Sequence, residues 1–345
     1  SDYWMERLRL KLPFLLLPFA FYQLHNIIQK HNIGHRYGQS HHSFYDGVLY
    51  VLLLLMTVSC IGIGVHYWLN FEEINLAIQQ GRAIPTPRNH IRFSLLLAIS
   101  IISGGYLYAK KYIYRFDWER TLIACCTTFL FIFIHILSVR SGLLALYMAL
   151  FALLVRFILI KKRYWIGLAG IVALTALPVA SYYIVPSFQK KINYAVWDLR
   201  TYYAGKGANN SDSGRLVSLQ VGWELAQRNM LVGVGAGNLR REVKNIYRQQ
   251  FPAVTEPKMP HNQWVSVLAG TGILGIIIFG IAFFVPFFYN AHYRQPLFLG
   301  YYIIVFTSLL MENTLENSMG IGLYCFFTLL FLNLQYENSL LRETK

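Results

Sequence analysis

Charged side chains are scarce in this chain of 345 residues. They make up 14% of the sequence, against 55% for hydrophobic residues, and the mean hydropathy is +0.40. Soluble globular domains carry roughly 25% charged residues, so this composition excludes an ordinary soluble enzyme. An aromatic content of 16% excludes an intrinsically disordered chain, which has few aromatic residues. The composition is that of an integral membrane protein.

Acidic residues are fewer than basic ones. The chain has 16 Asp and Glu and 31 Lys and Arg, and its formal net charge is +15. In a soluble chain this surplus would indicate nucleic-acid binding. Membrane proteins instead keep basic residues at the cytoplasmic ends of helices and against anionic lipids. We therefore expect membrane lipids as partners and no nucleic acid.

Metal-ligating patterns are also lacking. The four cysteines lie in apolar runs, which favours neither a disulfide framework nor a tetrahedral zinc site: Cys60, Cys125, Cys126 and Cys325. Four histidines have metal-like spacing but no neighbouring carboxylates: His31, His35, His41 and His42. We expect no metal and no other cofactor.

The sequence contains many long apolar runs. A spanning helix needs about 20 mostly apolar residues. Nine stretches meet this requirement: 12–28, 44–69, 92–109, 119–138, 141–160, 164–186, 262–289, 296–312 and 319–336. They predict an all-α fold, a polytopic transmembrane helix bundle with a large, partly helical periplasmic loop. About six spans occupy 1–186, the polar loop is 187–260, and 261–345 holds about three spans and a cytoplasmic tail.

The distribution of basic residues predicts the orientation. Alternating sides across nine spans puts the loops 29–43, 110–118, 161–163 and 290–295 on the same face as the C-terminus. This face is rich in Lys and Arg, Arg36 and Lys345 among them, and the positive-inside rule makes it cytoplasmic. The loop 187–260 then lies outside the cytoplasm.

The long loop has eleven basic and five acidic residues, Arg240 and Arg241 among the basic ones. Long loops are exempt from the positive-inside rule, so an anionic ligand is one explanation. Within this loop, Ser211 to Ser213 favour a helix N-cap and predict that Arg215 opens a helix. Such a start would offer unpaired backbone N–H groups to an anion. The alternative is a solvated arginine.

Arg140 and His261 are the other candidates for chemistry. Arg140 lies in the tight joint Ser138-Val139-Arg140-Ser141-Gly142, where it either reaches the lipid headgroups or clamps a phosphate with its paired donors. His261 follows Pro260 at the start of an apolar helix, where it either caps the helix or accepts a proton as a neutral imidazole. Glu312 and Glu316 flank the joint 313–318 and are expected to balance the arginines, to orient His261 or to be solvated.

The glycine-rich run 233–238 lacks the spacing of a nucleotide-binding loop and is expected to form a turn. Gly272 and Gly275 follow in the next apolar stretch and are expected to serve helix packing.

Two short motifs resemble the O-antigen ligase family. The run His261-Asn262, followed after nine residues by Gly272-Ile273-Leu274-Gly275, resembles the signature His-[Asn/Ser/Gln]-x9-Gly-x-x-[Gly/Thr/Tyr]. The run 140–144 is similar to that family's Arg-x3-Leu element, and Ser213-Gly214-Arg215 and the turn 233–238 are similar to the region before the histidine. The resemblance covers roughly residues 119–336.

The resemblance implies a multi-pass protein of the bacterial inner membrane with a periplasmic active site. The reaction would transfer a glycan from undecaprenyl pyrophosphate to a hydroxyl of lipid A-core, with inversion and without a metal. Arg140 and Arg215 would bind the pyrophosphate, His261 would be the general base, and the expected substrate-binding residues further include Asn262, Arg240, Arg241 and Glu312.

Three alternatives remain at this point. A polysaccharide polymerase and a protein O-oligosaccharyltransferase of the same superfamily would use other acceptors. A transporter would have its polar site near the midplane and inverted repeats, which the sequence does not show. Family members usually have about twelve membrane helices, so we expect further spans before Ser1 in the natural protein.

Overall fold

The computed structural model of this chain describes residues 2–31, 43–206 and 208–343. In these ranges the chain forms thirteen α-helices and no β-strand. The helices are α1 (Asp2–His31), α2 (Phe44–Leu69), α3 (Phe71–Gln79), α4 (His90–Ala109), α5 (Glu119–Leu137), α6 (Arg140–Lys161), α7 (Tyr164–Ile184), α8 (Pro186–Tyr203), α9 (Ser211–Arg228), α10 (Leu239–Gln250), α11 (Gln263–Phe288), α12 (Pro296–Met311) and α13 (Ser318–Glu343). The all-α prediction is confirmed.

Seven of the described helices are long and apolar enough to cross a membrane, namely α2, α4, α5, α6, α7, α11 and α13. Every predicted span falls on a helix, and all but the first begin within two residues of the predicted start. The remaining two predicted spans lie in α12, which has only 16 residues, and in α1, whose apolar run is interrupted by polar residues such as His25 and Asn26. The chain is a multi-pass membrane protein.

Helix α4 is the centre of the bundle. It packs against α2, α5, α6 and α12, and apolar residues on all its faces are buried, Leu97, Ala98 and Ile99 completely. A helix that is buried on all sides must lie inside a large bundle. Its N-terminal residues, from His90 to Arg92, therefore reach one end of the bundle from the inside.

Helices α9 and α10 share a separate small core. Val217, Val221 and Leu225 of α9 face Val243 and Ile246 of α10, and Ala269 at the start of α11 completes the cluster. Helix α9 begins at Ser211 rather than at Arg215 as predicted, with Asn210 as its N-cap. The predicted start was wrong because Asp212 and Ser213 are not caps. Both are held by Asp198, and Arg215 lies one turn inside the helix.

Helix α11 is bent back on itself at Gly272. The backbone there has φ 66° and ψ −165°, which glycine tolerates and other residues do not. The rings of Trp264 and Phe279 lie 5.0 Å apart, whereas 15 residues of a straight helix would separate them by about 22 Å. The predicted continuous span 262–289 is therefore two helical segments that meet at an acute bend.

The turn between α9 and α10 caps both segments of α11. Ile273 donates its N–H to the carbonyl of Met230, and Val234 donates its N–H to the carbonyl of Ala269. These bonds satisfy backbone groups that the bend removes from the helical ladder. Gly233 and Gly235 have positive φ, which confirms that the run 233–238 is a turn.

Some predicted features lie outside the described residues. They are the basic loop residue Arg36, the histidines His35, His41 and His42, and Lys345 at the C-terminus.

Candidate active site

A cavity of about 470 Å³ opens at the end of the bundle where α4 begins. Its walls are the loop 80–89 between α3 and α4, the joint between α5 and α6, part of α8, the start of α9, and residues 258–261 before α11. Arg140, Arg215 and His261, which are far apart in the sequence, all line it. The structure thus brings together the three residues that the sequence predicts as catalytic.

Arg140 reaches the cavity because the joint between α5 and α6 is tight. Ser138 ends α5 in the left-handed conformation with φ 54°, and α6 begins at Arg140 directly after Val139. The two terminal nitrogens of Arg140 donate to the two carboxylate oxygens of Asp212, at 2.5 and 2.7 Å. This is a bidentate ion pair, so both arms of the predicted phosphate clamp already contact a carboxylate.

The first turn of α9 is held by Asp198, a fully buried residue of α8. Its carboxylate accepts the N–H of Asp212 at 2.8 Å and the hydroxyl of Ser213 at 2.6 Å. The expectation that the helix start offers unpaired N–H groups to an anion is therefore wrong for Asp212, because its N–H is bonded to Asp198. Asp198 was not predicted from the sequence, although acidic residues are the minority in this basic loop.

Glu312 connects the other two predicted residues. It follows the last residue of α12 and has 2% of its surface exposed. Its Oε1 atom accepts a hydrogen bond of 2.6 Å from Nη2 of Arg215, and its Oε2 atom accepts one of 2.9 Å from Nδ1 of His261. The N–H of His261 donates to the hydroxyl of Ser218, which fixes the backbone. Because Nδ1 carries the proton in this arrangement, Nε2 of a neutral imidazole is an acceptor.

The charge of Glu312 is maintained by its neighbours. Burial raises the pKa of its carboxyl, but the hydrogen bond from His261 and the charges of Arg215 and Arg92 outweigh burial and lower the pKa below its usual value. Arg92 is itself 6% exposed, inside the bundle. Arg92 was not among the predicted site residues, although a charged residue inside a predicted membrane span is a signal of function.

Four further basic residues, which were not predicted from the sequence, also line the cavity: Arg82, Arg88, Lys191 and Lys258. Arg82 and Arg88 belong to the loop 80–89. The Nζ atom of Lys191 donates to the carbonyls of Gly81 and Arg82, each at 2.9 Å, which ties α8 to this loop. No local pattern separates Lys191 from its neighbour Lys190, so only the fold identifies it.

Other predicted residues do not line the cavity. Asn262 caps α11, accepting from the N–H of Val265 and donating to the carbonyl of Leu310. Arg241 lies exposed on α10, where it pairs with Glu242, and Arg240 is exposed on the same helix. Glu316 accepts a hydrogen bond from Gln263 and lies 3.7 Å from Lys11.

An apolar groove of about 530 Å³ lies beside the cavity. It is formed by the end of α2, the end of α5 and the junction of α7 with α8. Ile136 of α5 lines the groove, and the next two residues, Leu137 and Ser138, line the cavity. A molecule with a charged group and an apolar chain could therefore place the charged group in the cavity and the chain in the groove, on either side of this turn of α5.

Comparison with protein-family models matches residues 125–280 to the family described as O-antigen ligase. The matched stretch contains Arg140, Arg215 and His261 and ends before Glu312. A comparison with curated proteins finds no match.

Proposed function

Residues 125–280 belong to the O-antigen ligase family, and we propose that this multi-pass, glycosyltransferase-like enzyme joins O-antigen to lipid A-core at the periplasmic face of the bacterial inner membrane. The donor is a glycan on undecaprenyl pyrophosphate and the acceptor is a hydroxyl of lipid A-core. The observation that carries the proposal is the pairing of His261 with buried Glu312 at the wall of a basic cavity.

In the proposed reaction, Nε2 of His261 takes the proton of the acceptor hydroxyl as its oxygen attacks the anomeric carbon. The bond from that carbon to the pyrophosphate oxygen breaks, and undecaprenyl pyrophosphate leaves with the electron pair. Attack opposite to the leaving group inverts the anomeric configuration. Glu312 orients the imidazole and stabilises the imidazolium that forms, as the carboxylate of a catalytic triad does.

The surroundings of His261 support an anionic donor. Arg140 and Arg215 contribute positive charge where the leaving group develops negative charge. The apolar groove beside the cavity suits a polyprenyl chain, and its position next to Ser138 would keep the pyrophosphate close to Arg140. Arg240, Arg241 and Asn262 lie outside the cavity walls, so in this proposal they do not contact the pyrophosphate.

The test is the lipopolysaccharide ladder of a bacterial strain that lacks the gene, complemented with wild type, His261→Ala or His66→Ala. His66 is an exposed histidine at the end of α2 that does not line the cavity. We expect the ladder to return with wild type and His66→Ala and to stay absent with His261→Ala. Long chains on lipid A-core in the deletion strain would refute ligation, and core with a single repeat would indicate a polymerase.

A further inference from the structure

The basic residues of the cavity fall into two groups by their partners. Arg140 is paired with Asp212 and Arg215 with Glu312, in ion pairs of 2.5 and 2.6 Å. To bind a phosphate with the same donors, Arg140 would have to give up Asp212, and Arg215 would have to give up Glu312, which would then keep only its hydrogen bond from His261. Separating a buried or half-buried carboxylate from its arginine is costly, so these two pairs are nearly neutral units of the wall.

The second group carries the surplus charge. Arg82, Arg88, Lys191 and Lys258 line the same cavity, and in the part of the chain that the structure describes none of them lies within 4.0 Å of a carboxylate. Because Asp212 and Glu312 balance the charges of Arg140 and Arg215, the positive charges of these four residues remain unbalanced by carboxylates. A diester of pyrophosphoric acid is dianionic, so this surplus is more than enough to neutralise it.

Lys191 and Lys258 reach the cavity from different elements of the wall. Lys191 projects from α8, where Nζ uses two donors on the carbonyls of Gly81 and Arg82 and keeps a third. Nζ of Lys258 is 3.4 Å from the carbonyl of Asn210 at the start of α9, and it lies beside Gly214, where a Cβ atom would approach it to 2.8 Å. Both ammonium groups therefore have free donors.

We propose that Lys191 and Lys258, assisted by Arg82 and Arg88, are the direct ligands of the donor pyrophosphate, and that Arg140 and Arg215 chiefly hold Asp212 and Glu312 in place. This inference rests on the proposed function and revises the assignment of the pyrophosphate to the two arginines. Lysine ammonium groups bind phosphate as point charges, which suits a leaving group that must depart after each turnover.

The surroundings of Lys191 make its contribution depend on pH. Burial, the largest cause, together with the charges of Arg140 and Arg215 lowers the pKa of its ammonium group to about 8, while Asp212 opposes this shift. Among the described residues, His90 of α4 and the ring of Tyr194 on α8 also face it. Since Lys191 loses its charge as the pH rises through about 8, pyrophosphate binding should weaken between pH 7 and pH 9.

The experiment measures binding of farnesyl diphosphate to the purified full-length chain in detergent, with farnesol as the uncharged control. Lys191→Gln and Lys258→Gln should each weaken binding about tenfold, the effect of one charge-assisted hydrogen bond. Lys190→Gln, a change at the adjacent residue of α8 that does not line the cavity, should bind as wild type does. Lys191→Arg should bind well and lose the dependence on pH.

The controls separate the possible failures. Lys191 also ties α8 to the loop 80–89, so the thermal unfolding midpoint of Lys191→Gln is compared with that of wild type. Lys258 makes a single long hydrogen bond, so we expect Lys258→Gln to weaken binding without destabilising the fold. If both glutamine variants bind as wild type while Arg140→Gln and Arg215→Gln lose binding, the inference is overturned and the proposed function stands. If wild type binds farnesyl diphosphate no better than farnesol, both are refuted.

Discussion

Nδ1 of His261 lies 2.9 Å from Oε2 of Glu312, and the other carboxylate oxygen of Glu312 accepts from Arg215. His261 precedes α11 and Glu312 follows α12, so the pair joins the start of α11 to the end of α12, although the two residues are 51 positions apart along the chain. This relationship gives the imidazole a fixed tautomer, and it is the basis of the first two predictions.

Glu312→Gln should lower kcat of glycan transfer by about a hundredfold with little change in donor binding. The neutral amide cannot stabilise the imidazolium, and general-base catalysis contributes about this much. The control is Glu316→Gln, because Glu316 contacts Gln263 and Lys11 rather than His261. Equal loss of activity in both variants would show that Glu312 has only a structural role.

Acid should remove the stabilisation that Glu312 provides. Its pKa in the folded protein is lower than the usual value of 4.5, so its contribution is complete above pH 4.5 and is lost as the pH falls through the folded value. We expect the difference in thermal unfolding midpoint between wild type and Glu312→Gln to narrow below pH 4.5. A difference that stays constant from pH 7 to pH 3.5 would contradict this origin.

Gly272→Ala should destabilise the protein, because Gly272 combines a positive φ with close packing. A Cβ atom there would lie 2.3 Å from the backbone of Leu231, and backbone strain of this kind costs about 1–3 kcal/mol. Gly62→Ala is the control, since nothing lies within 4 Å of its added Cβ. A lower unfolding midpoint for Gly272→Ala alone is expected; equal midpoints would mean that the bend of α11 tolerates a side chain.

The fold was largely predictable because the spans are decided by local composition. Runs such as 44–69 must be helical in lipid, where every backbone group needs an internal partner. The bend at Gly272 was not predictable in the same way, because Gly270, Gly272 and Gly275 are typical of ordinary helix packing. The edge-to-face contact of Trp264 with Phe279 and the caps from Met230 and Val234, which come from elsewhere in the chain, define the bend.

The candidate site was predictable only in part, for a related reason. His261 and Arg140 stand at helix starts, Arg215 lies one turn inside α9, and all three belong to motifs with a recognisable spacing, which a linear sequence displays. Lys191 and Asp198 acquire their positions from the packing of α8 against α9 and the loop 80–89, and nothing in their immediate neighbours shows this. The partners of the arginines, and hence the free charge of the cavity, depend on the same tertiary contacts.

Glycan transfer by His261 can be measured in vitro with the purified full-length protein, a glycan on undecaprenyl pyrophosphate as donor and lipid A-core as acceptor. We expect wild type to form glycosylated lipid A-core with an inverted anomeric linkage, and folded His261→Ala to bind the donor but to form no product above background. Transfer by His261→Ala at the wild-type rate would contradict the role of His261 as the general base.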